Sequence, residues 1–90
     1  MKKVYVVCKG RKLGVFDLWS DCDEQVEYYR GAMFKSFVSL TDAYRYIREY
    51  MPGGERYVIY MNNHKNYYTD YFLFIKALEE LKWYGGKKRR

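Results

Sequence analysis

Alternation of apolar and polar residues marks the start of the chain as a β-hairpin. Residues 4–10 (VYVVCKG) alternate and are rich in β-branched side chains, which predicts a first strand. Gly10 and Gly14 bound a short turn. Val15 and Phe16 continue beyond it as a second strand, so the two strands are expected to pair as a hairpin.

Two later stretches also have the character of strands. Residues 33–38 (MFKSFV) predict a third strand. Phe34 and Phe37 lie three positions apart in it, so they face opposite sides of the sheet. Residues 56–61 (RYVIYM) are a fourth candidate strand, and residues 62–66 that follow are polar enough to predict a loop.

Helical spacing of apolar residues predicts three helices. The first is expected to begin with Ser20 as its N-cap and Asp23 in its first turn, and to stop at Gly31. The second is expected to begin with Ser39 as its N-cap and to end before Pro52. The predicted buried stripes are Cys22, Val26 and Tyr29, then Leu40, Ala43, Tyr44 and Ile47, and finally Tyr71, Phe74, Ile75, Leu78 and Leu81.

The order of elements, ββαβα followed by βα, predicts an α+β fold. We expect a small three-stranded antiparallel sheet with two helices, extended by a further strand and a C-terminal helix. Residues 1–51 are assigned to this module and residues 52–90 to the extension, packed on the same domain, since 90 residues make one small domain. Gly85 and Gly86 are expected to stop the last helix before a flexible basic tail at residues 87–90.

The net charge restricts the possible functions more than the overall amino-acid composition does. The net charge is +6, which points to a polyanionic partner, most often a nucleic acid. No apolar run is long enough to span a membrane and no signal peptide precedes the domain, so we expect a cytoplasmic protein that does not bind membranes. Cys8 and Cys22 form no CxxC pair and His64 is the only histidine, so neither a metal nor another cofactor is expected.

Three cations crowd the first turn. Lys9, Arg11 and Lys12 surround Gly10, and a tight turn directs side chains and free backbone N–H groups outward. Such groups bind phosphate oxygens and 2′-hydroxyls. A solvated basic hairpin tip explains the same residues, and the turn alone favours neither interpretation.

Residues 5–47 resemble the hybrid-binding domain at the N-terminus of many ribonucleases H, also known as the caulimovirus viroplasmin domain. The shared pattern is an aromatic-led first strand, KGRKxG, a strand ending in tryptophan, a cysteine three residues on, QV, then GAxFKxF and a capped helix. The resemblance implies a three-stranded antiparallel sheet with two helices. It also implies non-catalytic binding of RNA/DNA hybrid, or more weakly of double-stranded RNA, on behalf of a nuclease partner.

The resemblance also implies a set of binding residues. Trp19 and Phe34 would pack on deoxyribose, because a flat apolar ring fits a sugar that lacks a 2′-hydroxyl. Lys35 would hold a phosphate, and Tyr5 would extend the same surface. The alternatives are that Trp19 is a hydrophobic staple before the helix and Phe34 a core residue. The complete predicted nucleic-acid-binding set is Tyr5, Lys9, Arg11, Lys12, Trp19, Phe34 and Lys35.

The sequence departs from the family at two positions. Met33 and Ser36 stand where the family often has basic residues. Each lost phosphate contact is expected to weaken binding and to reduce its salt slope by roughly 0.9. The basic residues 87–90 could compensate.

The second half of the chain does not match a catalytic ribonuclease H domain. Met61 and Asn62 stand where its first catalytic aspartate would lie, and Asp70 falls near the place of a catalytic glutamate. That chemistry needs several carboxylates around two Mg²⁺ ions, so we expect no enzyme here. Residues 55–84 are expected to enlarge the core, with Asp70 near a helix N-terminus.

Two other function classes compete with nucleic-acid binding. Twelve tyrosines favour a protein-interaction or assembly module, which would use a Tyr-rich surface and could form a homodimer. A small enzyme is the third class, and no nucleophile–base pair or phosphate loop supports it.

Overall fold

The computed structural model describes residues 3–84, with side chains as far as residue 81. A five-stranded sheet forms its centre, with strands in the spatial order β3-β1-β2-β4-β5. The strands are β1 (Val4–Lys9), β2 (Gly14–Phe16), β3 (Met33–Phe37), β4 (Val58–Met61) and β5 (His64–Tyr67). The helices are α1 (Trp19–Val26), α2 (Leu40–Tyr50) and α3 (Tyr71–Tyr84), with a short 3-10 helix at Gly53–Glu55.

The predicted α+β fold is confirmed, and the sheet is larger than expected. Strand β1 pairs antiparallel with both β2 and β3, as predicted, and β4 joins the sheet parallel to β2. The loop predicted at residues 62–66 is wrong, because β5 pairs antiparallel with β4. Asn62 and Asn63 adopt φ angles of 49° and 65° between these strands. Positive φ at both central residues is typical of a two-residue hairpin turn.

Alternation along the strands buries both faces of the sheet. Val6, Cys8 and Ile59 face the larger core, which α2 and α3 cover with residues such as Ile47 and Phe74. The opposite face carries a smaller core under α1, formed by Val7, Phe16, Cys22, Val26, Val58 and Tyr60. Among residues 3–84, one α-helix therefore lies on one side of the sheet and two lie on the other.

The ends of α1 differ from the prediction. The helix begins at Trp19, and its N-cap is Leu18, an extended residue whose side chain makes no capping hydrogen bond. The prediction of Ser20 as N-cap was therefore wrong. Gly31 adopts a left-handed φ of 73°, but it lies just before β3, since α1 already ends at Val26.

The other two helices begin as expected. The Ser39 hydroxyl accepts a hydrogen bond from the Asp42 backbone N–H at 3.3 Å, which confirms the predicted N-cap of α2. This helix ends at Tyr50, before the proline, as predicted. Asp70 Oδ1 accepts a hydrogen bond from the Leu73 N–H at 3.0 Å, which confirms its place near the N-terminus of α3.

The extension and the first module share one sheet, since β4 lies beside β2. The division at residue 51 stays a prediction. The helix stop at Gly85 and Gly86 and the basic tail at residues 87–90 lie outside the described residues. Within residues 3–84, no helix is both long enough and apolar enough to cross a membrane.

Candidate nucleic-acid interface

Three aromatic rings form a half-exposed cluster on the face of the sheet that carries α1. The ring centroid of Trp19 lies 5.8 Å from that of Tyr5 and 6.0 Å from that of Phe34. These distances are in the range of favourable aromatic contacts. Trp19 is 48% exposed and Phe34 is 41% exposed. We call Tyr5, Trp19 and Phe34 the ring cluster.

Each ring of the cluster comes from a different element. Tyr5 lies on β1, Phe34 on the edge strand β3, and Trp19 is the first residue of α1. Pairing of Val7 with Phe34 fixes the side of β3 from which the phenyl ring projects. The two alternatives from the sequence therefore do not hold: Phe34 lies outside the buried core, and Trp19 lies inside the helix rather than before it.

Strand alternation separates Lys35 from the ring cluster. Phe37 packs against the core on the α2 side of the sheet. The Lys35 ammonium nitrogen lies 5.7 Å from the Phe37 ring centroid, on the same side. The prediction that Phe34 and Phe37 face opposite sides is confirmed. The structure does not bring Lys35 to the same face as Trp19 and Phe34.

The basic turn docks on the C-terminal end of α1. The Arg11 backbone N–H donates to the Gln25 carbonyl at 2.9 Å, and its Nη1 donates to the Glu24 carbonyl at 2.9 Å. The Arg11 guanidinium carbon also lies 5.9 Å from the centroid of the Tyr29 ring. Arg11 thus satisfies carbonyls that the end of a helix leaves unpaired, and it places a cation where the helix dipole favours one.

The structure around the end of α1 corrects two expectations from the sequence. The Arg11 N–H does not point freely outward, because Gln25 accepts its hydrogen bond. Tyr29, predicted on the buried stripe of the first helix, lies beyond the end of α1 and is 41% exposed. Gly10 permits the close approach: a Cβ there would lie 2.7 Å from the Gln25 carbonyl oxygen.

The other two cations of the turn are exposed. Lys9 ends β1, beyond an irregularity in its pairing with β3. The Lys12 ammonium nitrogen lies 5.8 Å from the ring centroid of Tyr60, which stacks on Phe16 at 4.6 Å. Burial, and then the charge of Glu55, raise the pKa of Tyr60, so this phenol stays neutral at physiological pH.

Helix α1 links the ring cluster to the basic turn. Trp19 is at its first residue and the turn docks at its end, roughly 10 Å away for an eight-residue helix. Acidic residues lie along the helix and just after it: Asp21, Asp23, Glu24 and Glu27. The C-terminal end of α1, where the basic turn docks, therefore carries acidic side chains as well, which the string SDCDEQVE shows and which the predicted binding set left out of account.

Both cysteines are free and buried. Burial raises the pKa of Cys8 to about 11. Burial, followed by the charge of Asp23, raises the pKa of Cys22 to about 11 as well. The thiols are therefore protonated at neutral pH, which makes them structural groups rather than nucleophiles.

Comparison with known proteins finds relatives for the half of the chain that contains the ring cluster and the basic turn. Residues 3–47 match the sequence profile of the family described as "Ribonuclease H1 N-terminal domain". The chain is 44% identical over 43 residues to ribonuclease H of Crithidia fasciculata, which covers 48% of this chain and 9% of that protein. It is 40% identical over 45 residues to human ribonuclease H1, covering 50% and 16% respectively.

A third match extends slightly further. The chain is 41% identical over 53 residues to mouse ribonuclease H1, covering 58% of this chain and 19% of that protein. The chain thus spans less than a fifth of the length of each of these relatives. The matched profile describes an N-terminal domain, and the ring cluster and the basic turn both lie inside it.

Proposed function

Because the chain belongs to the family of ribonuclease H1 N-terminal domains, we propose that it is a non-catalytic module that recognises RNA/DNA hybrid, or double-stranded RNA, through backbone and sugar contacts. Family membership itself supports nucleic-acid binding. The net charge of +6 agrees with a polyanionic ligand.

The ring cluster carries the proposal. Trp19 and Phe34 are large apolar rings, and both stay about half exposed although the cores beside them are well buried. Rings held this way present a flat apolar surface to a ligand. A deoxyribose fits such a surface better than a ribose does, because a 2′-hydroxyl placed there would lose its hydrogen bonds to water. This difference favours a DNA strand at the ring cluster, and an RNA strand opposite it would offer its 2′-hydroxyls to the basic turn, so a hybrid fits better than a duplex of either kind alone.

The basic turn supplies the charge. Lys9 and Lys12 are exposed and available to phosphate oxygens. The Arg11 guanidinium uses one N–H on the Glu24 carbonyl, so further N–H groups of its five can face a phosphate. Lys35 would contact a phosphate only on the α2 side of β3, away from the ring cluster. The proposed contacts therefore lie at both ends of α1 and around the sheet edge.

A competition series tests the ligand class. A labelled RNA/DNA hybrid is displaced by equal-length hybrid, RNA duplex or DNA duplex, at two salt concentrations. We expect hybrid to compete best, RNA duplex less well and DNA duplex least, with binding that weakens steeply as salt rises. Equal, salt-insensitive competition by all three duplexes would contradict the proposal.

One observation favours a second function, assembly with a further copy of the chain. Phe72 is 80% exposed and Leu73 is 50% exposed, and they are consecutive residues in the first turn of α3, outside the matched family segment. Exposed aromatic residues are enriched in interfaces. Sedimentation equilibrium tests this alternative: a dimer that Phe72→Ala dissociates would support it, and a monomer at all concentrations would exclude it.

A further inference from the structure

A cleft opens between the edge strand β3 and helix α2, on the side of the sheet opposite to the ring cluster. Its volume is about 630 Å³. That volume lies within the range of small-molecule sites, and of its lining residues the proposed function uses only Lys35. The side chains that matter for its chemistry are Lys35, Phe37, Arg45, Tyr46, Glu49 and Tyr50.

Three aromatic rings run along the cleft in a continuous series. The ring centroids of Phe37 and Tyr46 lie 5.4 Å apart, and those of Tyr46 and Tyr50 lie 5.1 Å apart. Phe37 and Tyr46 pack against the core, whereas Tyr50 is 51% exposed. Burial raises the pKa of Tyr46 to about 12, so its hydroxyl stays protonated. The exposed ring of Tyr50 offers a base a surface on which to stack.

Charged groups of both signs line the same cleft. Lys35 lies over Phe37, and Arg45 contacts Asp42 at 3.8 Å with both side chains largely exposed. Such an exposed contact is weak, so the guanidinium can turn to a phosphate. The Glu49 carboxylate can accept hydrogen bonds from the exocyclic amino group of a base. Together these groups complement a flat ring that carries amino donors and one phosphate, which is the chemistry of a nucleotide.

The position of the cleft connects it with the ring cluster. Phe34 and Lys35 are consecutive residues, and they project to opposite faces of a strand that pairs, among the described residues, with β1 alone. A nucleic-acid strand leaving the ring cluster would therefore pass over this edge into the cleft. The exposed Lys35 in the middle of an edge strand disfavours addition of another β-strand, so a peptide is the poorer occupant.

We infer that this cleft binds one unpaired nucleotide that extends from the end of a duplex held at the ring cluster. Its base stacks on Tyr50 and its phosphate lies against Lys35 and Arg45. Glu49 favours bases with an amino group, adenine, cytosine and guanine, over thymine and uracil. This inference rests on the proposed function and adds a second contact to it.

Fluorescence anisotropy with matched ligands tests the inference. One RNA/DNA hybrid is blunt, and otherwise identical hybrids carry a single unpaired dA or dT at either end. The readout is the ratio of overhang affinity to blunt affinity. We expect a dA overhang at one of the two ends to raise the affinity about five-fold or more over that of the blunt hybrid. A dT overhang at the same end should raise the affinity less. Tyr50→Ala should reduce the ratio to one.

Tyr67→Ala is the matched control, because Tyr67 is a 61% exposed tyrosine on the opposite edge strand, β5. It should keep the overhang ratio of the wild type. A wild-type ratio of one, or a gain that survives Tyr50→Ala, would overturn the inference. Absence of blunt-hybrid binding would instead overturn the proposed function itself.

Competition with adenosine monophosphate shows whether the cleft binds the overhanging nucleotide of a duplex or a free nucleotide. If the inference holds, this nucleotide at millimolar concentration competes away the overhang gain and leaves blunt-hybrid binding unchanged. If it binds in a Tyr50-dependent way while overhangs give no gain, the cleft takes a free nucleotide and the inference is wrong.

Discussion

The ring centroids of Trp19 and Phe34 lie 6.0 Å apart, although one residue begins a helix and the other lies on an edge strand. Their contact depends on where α1 sits on the sheet. Cys22 and Val26 fix the underside of that helix, and the basic turn fixes its end through Arg11. The two parts of the proposed interface are therefore coupled by one short helix.

Gly10 is expected to be essential for this arrangement. In Gly10→Ala, the new Cβ would lie 2.7 Å from the Gln25 carbonyl oxygen and 2.8 Å from Val7 Cγ1. We expect the free energy of unfolding to fall by about 1–3 kcal/mol in urea titrations, as overpacking commonly costs. Gly53→Ala is the control, since a Cβ at Gly53 meets no atom within 4 Å. Equal stabilities of the two variants would refute the docking of the turn.

Alanine variants of Arg11 and Lys9 should distinguish the effect of the basic turn on folding stability from its effect on hybrid binding. Arg11→Ala removes a hydrogen bond to the Glu24 carbonyl and a cation at a helix end, so the free energy of unfolding should drop by about 1 kcal/mol. Lys9→Ala changes an exposed side chain, and its stability should stay within about 0.5 kcal/mol of the wild type. Both variants should reduce the salt slope of hybrid binding by about 0.9. A stable Arg11→Ala variant would show that its contacts to α1 contribute nothing.

Asp70 is expected to stabilise α3 as an N-cap and to have no catalytic role. Asp70→Ala removes the acceptor for the Leu73 N–H, and thermal unfolding should show a loss of about 1 kcal/mol. Asp70→Asn keeps an acceptor oxygen and should retain most of the stability. Thr69→Ala, at the exposed preceding residue, is the control and should change little. A loss in Asp70→Asn as large as that in Asp70→Ala would argue against capping.

Alkaline pH should destabilise the protein through its buried thiols. Burial raises the pKa of Cys8 and of Cys22 from 9.0 to about 11, and for Cys22 the charge of Asp23 adds to the effect. The unfolded chain therefore loses these protons at lower pH than the folded chain does. The free energy of unfolding should fall between about pH 9 and 11, on the order of 1 kcal/mol per thiol.

Urea titrations at pH 7, 9, 10 and 10.5 measure this decline. The Cys8→Ala/Cys22→Ala variant is the control, since it should be less stable throughout but show a shallower dependence on pH. The remaining decline in that variant would come from buried tyrosines, because burial raises the pKa of Tyr46 to about 12. A wild-type stability that stays constant up to pH 10.5 would contradict the burial of the thiols.

Sequence patterns correctly predicted the features that depend only on neighbouring residues, such as the start of α2 and the two faces of β3. Ser39 begins α2 because its hydroxyl accepts a backbone N–H, and the sequence shows both the cap and the apolar stripe that follows. Alternation likewise predicted that Phe34 and Phe37 face opposite sides. The same rule places Lys35 on the side away from Phe34, although sequence proximity had grouped the two in one contact.

Tertiary context decided the rest. His64–Tyr67 forms β5 through pairing with β4, and its polar sequence HKNY carries no alternating apolar signal. Only the Asn62-Asn63 pair hinted at a hairpin, since asparagine tolerates positive φ. Trp19 begins α1 without a side-chain cap at Leu18, so the stronger local signal at Ser20 misplaced the helix start by two residues. The docking of Arg11 on α1 joins residues far apart in sequence, which no local pattern could indicate.

The affinity of Trp19→Ala for an RNA/DNA hybrid tests the central proposal most directly, because Trp19 joins the other two rings of the cluster. Phe72→Ala removes an aromatic ring that is 80% exposed on α3 and is the matched control. We predict that Trp19→Ala lowers the affinity at least ten-fold while Phe72→Ala binds as the wild type does, with both variants folded by circular dichroism. Unchanged hybrid affinity in a folded Trp19→Ala variant would contradict the account.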